Sequence, residues 1–230
     1  MHFFRYDDLS EVRAGDVIEP DDAESTHIFR ILRMRPGEHA GLLDGHGMRA
    51  EAEITAHEQL KIITTEQVPE PSRKIHLYFA PPRKQKLDQL LKQAAELGVW
   101  HLAPMLCDWS VAEPHEKSVA GRWQTLLFEA CKQSTNPYLP TVAAPVPFKE
   151  ALKTAPETCS LLVTGSPRES GLPDLSGQKD IAFFVGPEGG FSPAELKQLE
   201  EAGAKPLRIG QWILRVETAV TAGLSVLQTI

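Results

Sequence analysis

The sequence predicts an α/β fold, a parallel sheet covered by helices on both faces and preceded by a small β-rich domain. Beyond residue 73, short apolar runs alternate with amphipathic helical stretches, the pattern of strands that pair in parallel through helical crossovers. Before residue 70, β-favouring runs are punctuated by turn residues. Between them VPEPS, at 68–72, sets two prolines in a polar stretch and reads as a linker. Domains are therefore expected at 1–70 and 73–230.

In the first domain, residues 2–6 favour a strand, Gly15-Asp16 and Pro36-Gly37 mark turns, and Asp44-Gly45 with Gly47 predicts a hairpin leading into a strand at 49–55. The stretch ESTHIFRILRMR predicts a short helix burying Ile28, Ile31 and Leu32, with His27, Arg30 and Arg33 on the adjoining side. Basic groups so spaced suit phosphate contacts in RNA or a solvated face.

In the second domain, residues 75–80 read as a strand. Residues 84–97 read as a helix with Leu87, Leu90, Leu91 and Ala94 inward and Gly98 as its stop. A strand at 99–106 follows, then a helix capped by Ser118 with Trp123, Leu126, Leu127, Ala130 and Cys131 inward. After a proline-rich passage at 137–147 come a short helix at 148–153, strands at 161–164, 181–185 and 207–209, and a last helix at 217–230.

The densest stretch is IAFFVGPEGGFSPAEL at 181–196. An apolar strand meets Gly186, Gly189 and Gly190, glycines suited to positive φ, with Pro187 stiffening the turn. Ser192 is placed as N-cap, Pro193 as first helical residue and Glu195 as partner in a capping box, with Phe191 and Leu196 spaced as a hydrophobic staple. The loop lacks the P-loop ending and the G-x-G-x-x-G spacing, so it is either a cradle for another polar ligand or a plain connection. In a parallel sheet the ends at 164–165, 186–190 and 210–216 share one edge and can build a single pocket.

The net charge of −7 argues against nonspecific coating of nucleic acid. Yet Arg73, Lys74, Arg83, Lys84, Lys86 and Lys92 face Asp88 alone within 73–92, a local basic cluster that suits RNA or a solvated helix face. No run approaches the roughly 18 apolar residues of a membrane span, and the opening MHFFRYDDLS is neither a signal nor a transit peptide. Cys107, Cys131 and Cys159 are odd in number without C-x-x-C spacing, which points to reduced thiols in a cytoplasmic protein. The eight histidines show no ligand spacing, so no metal is expected.

Two motifs carry a resemblance. G-P-E-G-G-F-S-x-x-E at 186–195, followed by I-G-x-x-I-L-R-x-E-T-A at 209–219, closely resembles the RsmE family of ribosomal RNA uridine-N3 methyltransferases in the SPOUT superfamily. The likeness extends through MHFFR at the start, H-x-x-R-I-L-R-M-R-P-G at 27–37, LLDGHG at 42–47, AELGV at 95–99 and RWQTLLFEACKQS at 122–134.

The resemblance implies an N-terminal PUA-like β-barrel for RNA and a C-terminal SPOUT-like parallel sheet whose chain forms a trefoil knot, in a cytoplasmic homodimer. S-adenosylmethionine would be held by Thr164, Gly165, Gly186, Gly190, Ile209, Gly210, Leu214 and Val216. Glu188 either faces the sulfonium or points to water. Ribosomal RNA, probed by Arg5, His27, Arg30 and Arg33 in the first domain, would be methylated at uracil N3. Arg215 would stabilise the uracil anion, and Glu217 either accepts the proton or favours the N-terminus of the last helix.

The chain departs from the family at three arginines. It has Asp108-Trp109-Ser110 where members show Glu-Arg-Ser, Gln133-Ser134-Thr135-Asn136 for Gln-Ser-Gly-Arg, and Gly210-Gln211-Trp212 for Gly-x-Arg. Trp109 and Trp212 offer stacking surfaces for unpaired bases in place of guanidinium groups. The losses also leave open a second reading, a divergent RNA- or cofactor-binding paralogue without turnover or with a different RNA target.

Overall fold

The computed structural model describes residues 1–113, 119–166 and 171–229. The chain falls into two compact units, Met1–Glu70 with Phe128–Leu139, and Pro71–Leu127 with Pro140–Ile230. The expected cap Ser118 and the terminal Ile230 lie outside the described residues. Among the described residues no helix is long and apolar enough to cross a membrane.

The first unit contains β1 (His2–Arg5), β2 (Val17–Ile18), α1 (Asp22–Ser25), β3 (His39–Leu43), β4 (Met48–Ile54) and β5 (Leu60–Gln67). Its sheet runs β1-β3-β4-β5-β2, with β1 parallel to β3 and the other pairs antiparallel. The end strands β1 and β2 do not pair with each other, so the sheet curls as a PUA-like half-barrel. Alternation sets this core: β4 sends Ala50, Ala52 and Ile54 inward against Phe4, Leu42, Leu60 and Ile62. The expected hairpin joins β3 to β4, with Gly45 and Gly47 at φ +81° and +102°.

The expected helix face around residue 28 needs correction. Asp21 caps α1 by accepting from Glu24 N at 2.8 Å, but Thr26–Ile31 continues as a wide turn in which Leu32 N donates to His27 O, five residues back. The wider turn rotates later residues off the stripe that a 3.6-residue period predicts. Ile28 is buried while Ile31 is 66% exposed. Arg33 closes the turn at φ +56°.

Phe128–Leu139 is bonded into this unit. Gly47 N donates to Pro137 O and Leu139 N to Gly45 O, both at 2.9 Å, and the Tyr138 hydroxyl donates to Val68 O at 2.5 Å. Lys132 Nζ lies 2.8 Å from Glu24 Oε1, both side chains being buried, and the same oxygen accepts from Arg5 N at 3.1 Å.

The second unit is built on β6 (Lys74–Phe79), α2 (Lys84–Glu96), β7 (His101–Leu106), α3 (Gln124–Ser134, counted with the first unit from Phe128), β8 (Thr141–Val142), β9 (Val146–Pro147), α4 (Phe148–Thr158), β10 (Leu161–Gly165), β11 (Asp180–Val185), α5 (Pro193–Glu201), β12 (Lys205–Leu207) and α6 (Val216–Thr229). The strands β8 and β9 fall within the proline-rich passage, where none was expected. The strand order is β12-β10-β11-β6-β7-β8, with β9 also on β7, and every pairing is parallel. Beyond their first residues, β6 and β11 are buried throughout, which accounts for the unbroken apolar run of β11; in β6 the run is interrupted by buried His76. On one face Phe184 stacks on Tyr78 at 4.7 Å, within the cluster that includes Phe148 and Leu152 of α4. Elsewhere Phe183 packs so closely on α6 that a Cβ on Gly223 would collide with its ring.

Thr135, just after α3, has φ +58°. A β-branched residue is strained there, and the family pattern places glycine at this position. Thr135→Gly is expected to stabilise the protein by up to about 1 kcal/mol, the relief of strain exceeding glycine's greater unfolded entropy. Urea unfolding measures this, and a less stable variant would contradict it.

Candidate functional site

Three strand ends adjoin. Since β12, β10 and β11 are parallel neighbours, Thr164-Gly165, the loop after Val185 and the loop after Leu207 leave the sheet on one edge. The capping box after β11 is complete: Ser192 Oγ accepts from Glu195 N at 3.3 Å and Glu195 Oε2 accepts from Ser192 N at 2.8 Å. The staple does not form as expected, because Leu196 is 49% exposed while buried Phe191 packs against Phe148 with ring centroids 5.5 Å apart. Of the three loop glycines only Gly190 takes positive φ, at +78°. Gly186 serves close approach instead: a Cβ there would stand 3.1 Å from Phe191 N and 3.2 Å from Gly190 C.

A second loop hangs on this cap. Asp108 N donates to Glu195 Oε1 at 2.9 Å, and Ser192 Oγ donates to Asp108 Oδ2 at 2.5 Å. Cys107 N donates to Ser110 Oγ at 2.8 Å. The Trp109 indole thus lies beside Gly189, where a Cβ would stand 3.4 Å from its Cε3, and stays 48% exposed. Burial, with Glu195 and Asp108 nearby, pushes the Cys107 thiol up, leaving it protonated and inert.

The edge fits a nucleoside cofactor. Thr164 is buried, and its Oγ1 has no hydrogen-bond partner among the described residues, a polar atom that a ligand can satisfy. A Cβ on Gly165 or Gly210 would make only ordinary van der Waals contact, 3.9 Å from Phe183 Cε2 and 4.0 Å from Leu214 Cδ2 respectively. Ile209 and Leu214 are half-buried and Val216 is buried, while Glu188 is exposed.

Arg215 is exposed just before α6, and Glu217 is buried in its first turn. Glu217 Oε1 lies 2.8 Å from Lys86 Nζ, from the first turn of α2. Burial pushes the Glu217 carboxyl up, but the Lys86 hydrogen bond and charge, a backbone N–H and nearby Arg215 outweigh it, so the net shift is downward from 4.5. Lys86 stood out in the sequence only as one of six clustered bases; its partner, far along the chain, left no local signal.

The expected RNA-contacting residues divide between the units. In the first, Arg30 and Arg33 are exposed, whereas Arg5 Nε donates to Asp7 at 2.6 Å and its guanidinium lies over Phe128 at 4.8 Å. His27 sits edge-on to Phe4 with centroids 5.7 Å apart. In the second, Trp212 is 79% exposed and Ile213 83%. A pair of histidines, His76 and His101, lies with Asp180 toward the amino ends of the strands, where burial and then His76 pull His101 down to about 4. Among the described residues no group of three or more His, Cys, Asp or Glu is arranged for a metal.

A parallel sheet with a glycine-loop edge and a separate curled β unit are the two parts of a class of two-unit RNA-modifying transferases, and sequence comparison assigns the chain to it. Residues 69–228 match the RNA methyltransferase domain model and residues 20–64 the RNA methyltransferase PUA domain model. The chain belongs to the ribosomal RNA small subunit methyltransferase E family. The Aquifex aeolicus member is 30% identical over 99% of both chains, and the Synechocystis member 30% identical over 88% of this chain and 70% of its own. Among solved structures, ribosomal RNA small subunit methyltransferase E from Neisseria gonorrhoeae bound to S-adenosyl methionine superposes with TM-score 0.88 at 28% identity, covering 100% of this chain and 97% of that one. A Legionella pneumophila methyltransferase in complex with the same cofactor gives 0.83 at 27% identity, over 99% and 96%.

A carboxyl held below its ordinary value contributes stability that is complete above that value and lost as pH falls through the folded one. The wild type is expected to lose more stability than Glu217→Gln, whose amide does not titrate, between about pH 5 and pH 3. Urea unfolding at each pH checks this, and parallel stability–pH curves would contradict it.

Proposed function

We propose that this protein transfers the methyl group of S-adenosylmethionine to N3 of a uridine in small-subunit ribosomal RNA. The observation that carries the reading is the row of adjoining strand ends with the unpartnered Thr164 hydroxyl among them. Family membership and the cofactor bound in related structures support it.

When bound, the cofactor supplies an electrophilic methyl group on a positive sulfur. Glycines 165, 186, 190 and 210 would let the backbone approach it, Thr164 would offer its hydroxyl, Ile209, Leu214 and Val216 would give apolar contact, and exposed Glu188 would offer its carboxylate to the sulfonium. The remaining task is to present uracil N3 and help it lose its proton. Arg215 stabilises the resulting anion. Glu217, already ion-paired and held anionic, is a weak proton acceptor, and its role is to fix the cations around it. Arg30 and Arg33, with Arg5 and His27, contact RNA from the first unit, while Trp109 and Trp212 stack on unpaired bases. The same reading includes a knotted path in the second unit, a homodimer, a substrate within the small ribosomal subunit and a cytoplasmic location.

Thr164→Val tests the cofactor site. Loss of an unpartnered buried hydroxyl leaves stability unchanged or raised, while calorimetric affinity for S-adenosylmethionine falls by about 1 kcal/mol, the worth of one hydrogen bond. Unaltered affinity would remove Thr164 from the site.

Ribosomal RNA from a strain lacking the modification, incubated with labelled S-adenosylmethionine, tests the reaction. The wild type is expected to label N3 of one uridine, and alanine at Trp109 or Trp212 to weaken RNA affinity by about 1–3 kcal/mol per lost stack. No label despite intact cofactor binding would leave a binding protein and reject the transferase, and unchanged affinity and activity in both variants would reject stacking.

A further inference from the structure

The Lys86–Glu217 pair is more than a strut between helices. Burying a carboxylate costs several kcal/mol before its partner repays it, and an apolar pair commonly serves packing as well. The helices are also joined independently, Thr221 Oγ1 donating to Gln93 Oε1 at 2.9 Å. An ion pair retained here therefore points to the charge itself.

Its position supports that. Strand β6 pairs with β11, so the first turn of α2 opens on the sheet edge that carries the glycine loop. Glu217 Oε1 takes one ammonium hydrogen of Lys86, whose side chain is 44% exposed, and two hydrogens remain to donate. The surrounding charges are Glu217 and Arg215 from the α6 end, Arg83 and Lys84 at the start of α2, and Asp88 on α2, which is paired with Arg122 from the turn before α3. No acid occupies the first turn of α2, although carboxylates are favoured there, so the corner is left electropositive. Trp212 has removed one guanidinium of the family pattern from the neighbouring loop.

We propose that Lys86 donates to a carbonyl oxygen, O2 or O4, of the target uracil and stabilises its N3 anion while leaving the N3 lone pair free to attack, with Glu217 as the positioning residue that aims the ammonium. This rests on the methyltransferase reading above. In the step concerned the N3–H bond breaks, its electron pair stays on the uracil, and the proton passes to solvent water. Lys86 and Arg215 remain cationic and Glu217 remains anionic.

The test is single-turnover methylation of unmodified small-subunit ribosomal RNA at saturating S-adenosylmethionine, from pH 6 to 9.5, with cofactor binding measured by calorimetry. Lys86→Met is paired with Lys86→Met/Glu217→Gln, which leaves no buried carboxylate alone should the single variant fail to fold. The double variant is expected to be about tenfold slower near pH 7, with its rate profile displaced about one unit upward, since one pKa unit is tenfold. The rates converge at high pH, where uracil ionises without help, and cofactor affinity is unchanged. Lys86→Arg, which keeps the charge, recovers most of the rate. Unchanged rates, or a loss by one constant factor at every pH, would overturn the inference while the wild type still methylates. A wild type that methylates no uracil N3 sinks the underlying reading, and this inference with it.

Discussion

A strand buried on both faces can satisfy its amides only through its neighbours, and β6 and β11 are two such strands lying side by side. From that pairing most of the second unit follows. Parallel neighbours need long crossovers, crossovers put helices on the faces, and a shared direction sends every carboxyl end to one edge. The glycine loop, the Thr164 hydroxyl and the N-terminal turns of α2 and α6 meet there because the chain has no other place to turn. The tight seat of Gly223 on Phe183 then fixes how closely α6 approaches.

Glu195 shows how one side chain can hold two loops. One carboxylate oxygen closes the cap of its own helix and the other takes the Asp108 amide, so the segment bearing Trp109 is fixed to the segment bearing the glycines. The indole displayed on that mount is a neutral planar surface, half exposed, without the fixed charge and bidentate donors of a guanidinium.

Local features were legible in the sequence because they depend on neighbours in the chain. The capping box at Ser192, the buried run before Gly186, the hairpin at Asp44 and the leucine stripe of α2 all rest on spacing within a turn or two. Long-range pairings were not. Nothing in the period of either segment marks Lys132 as the counter-ion of Glu24, or Lys86 as that of Glu217. Ile31 was misplaced because a period of 3.6 does not anticipate a wide turn. The positive-φ expectation for Gly186 and Gly189 missed because glycine also serves crowding, and composition does not distinguish the two uses. The brief pairings of β8 and β9 lie among prolines, where propensity argues against strands.

The first unit is discontinuous in sequence, and that has a consequence for synthesis. Residues 1–70 leave the ribosome before Phe128–Leu139 exists, a gap of about 3–14 s at roughly 5–20 residues per second. Throughout that interval Glu24 has no Lys132, Val68 O has no Tyr138 hydroxyl, Gly47 N has no Pro137 carbonyl and Gly45 O has no Leu139 amide. The half-barrel must therefore wait for residue 139 before it is complete, with much of the second unit still to follow; its closing stitches arrive on and just past the far end of a helix that begins in the other unit.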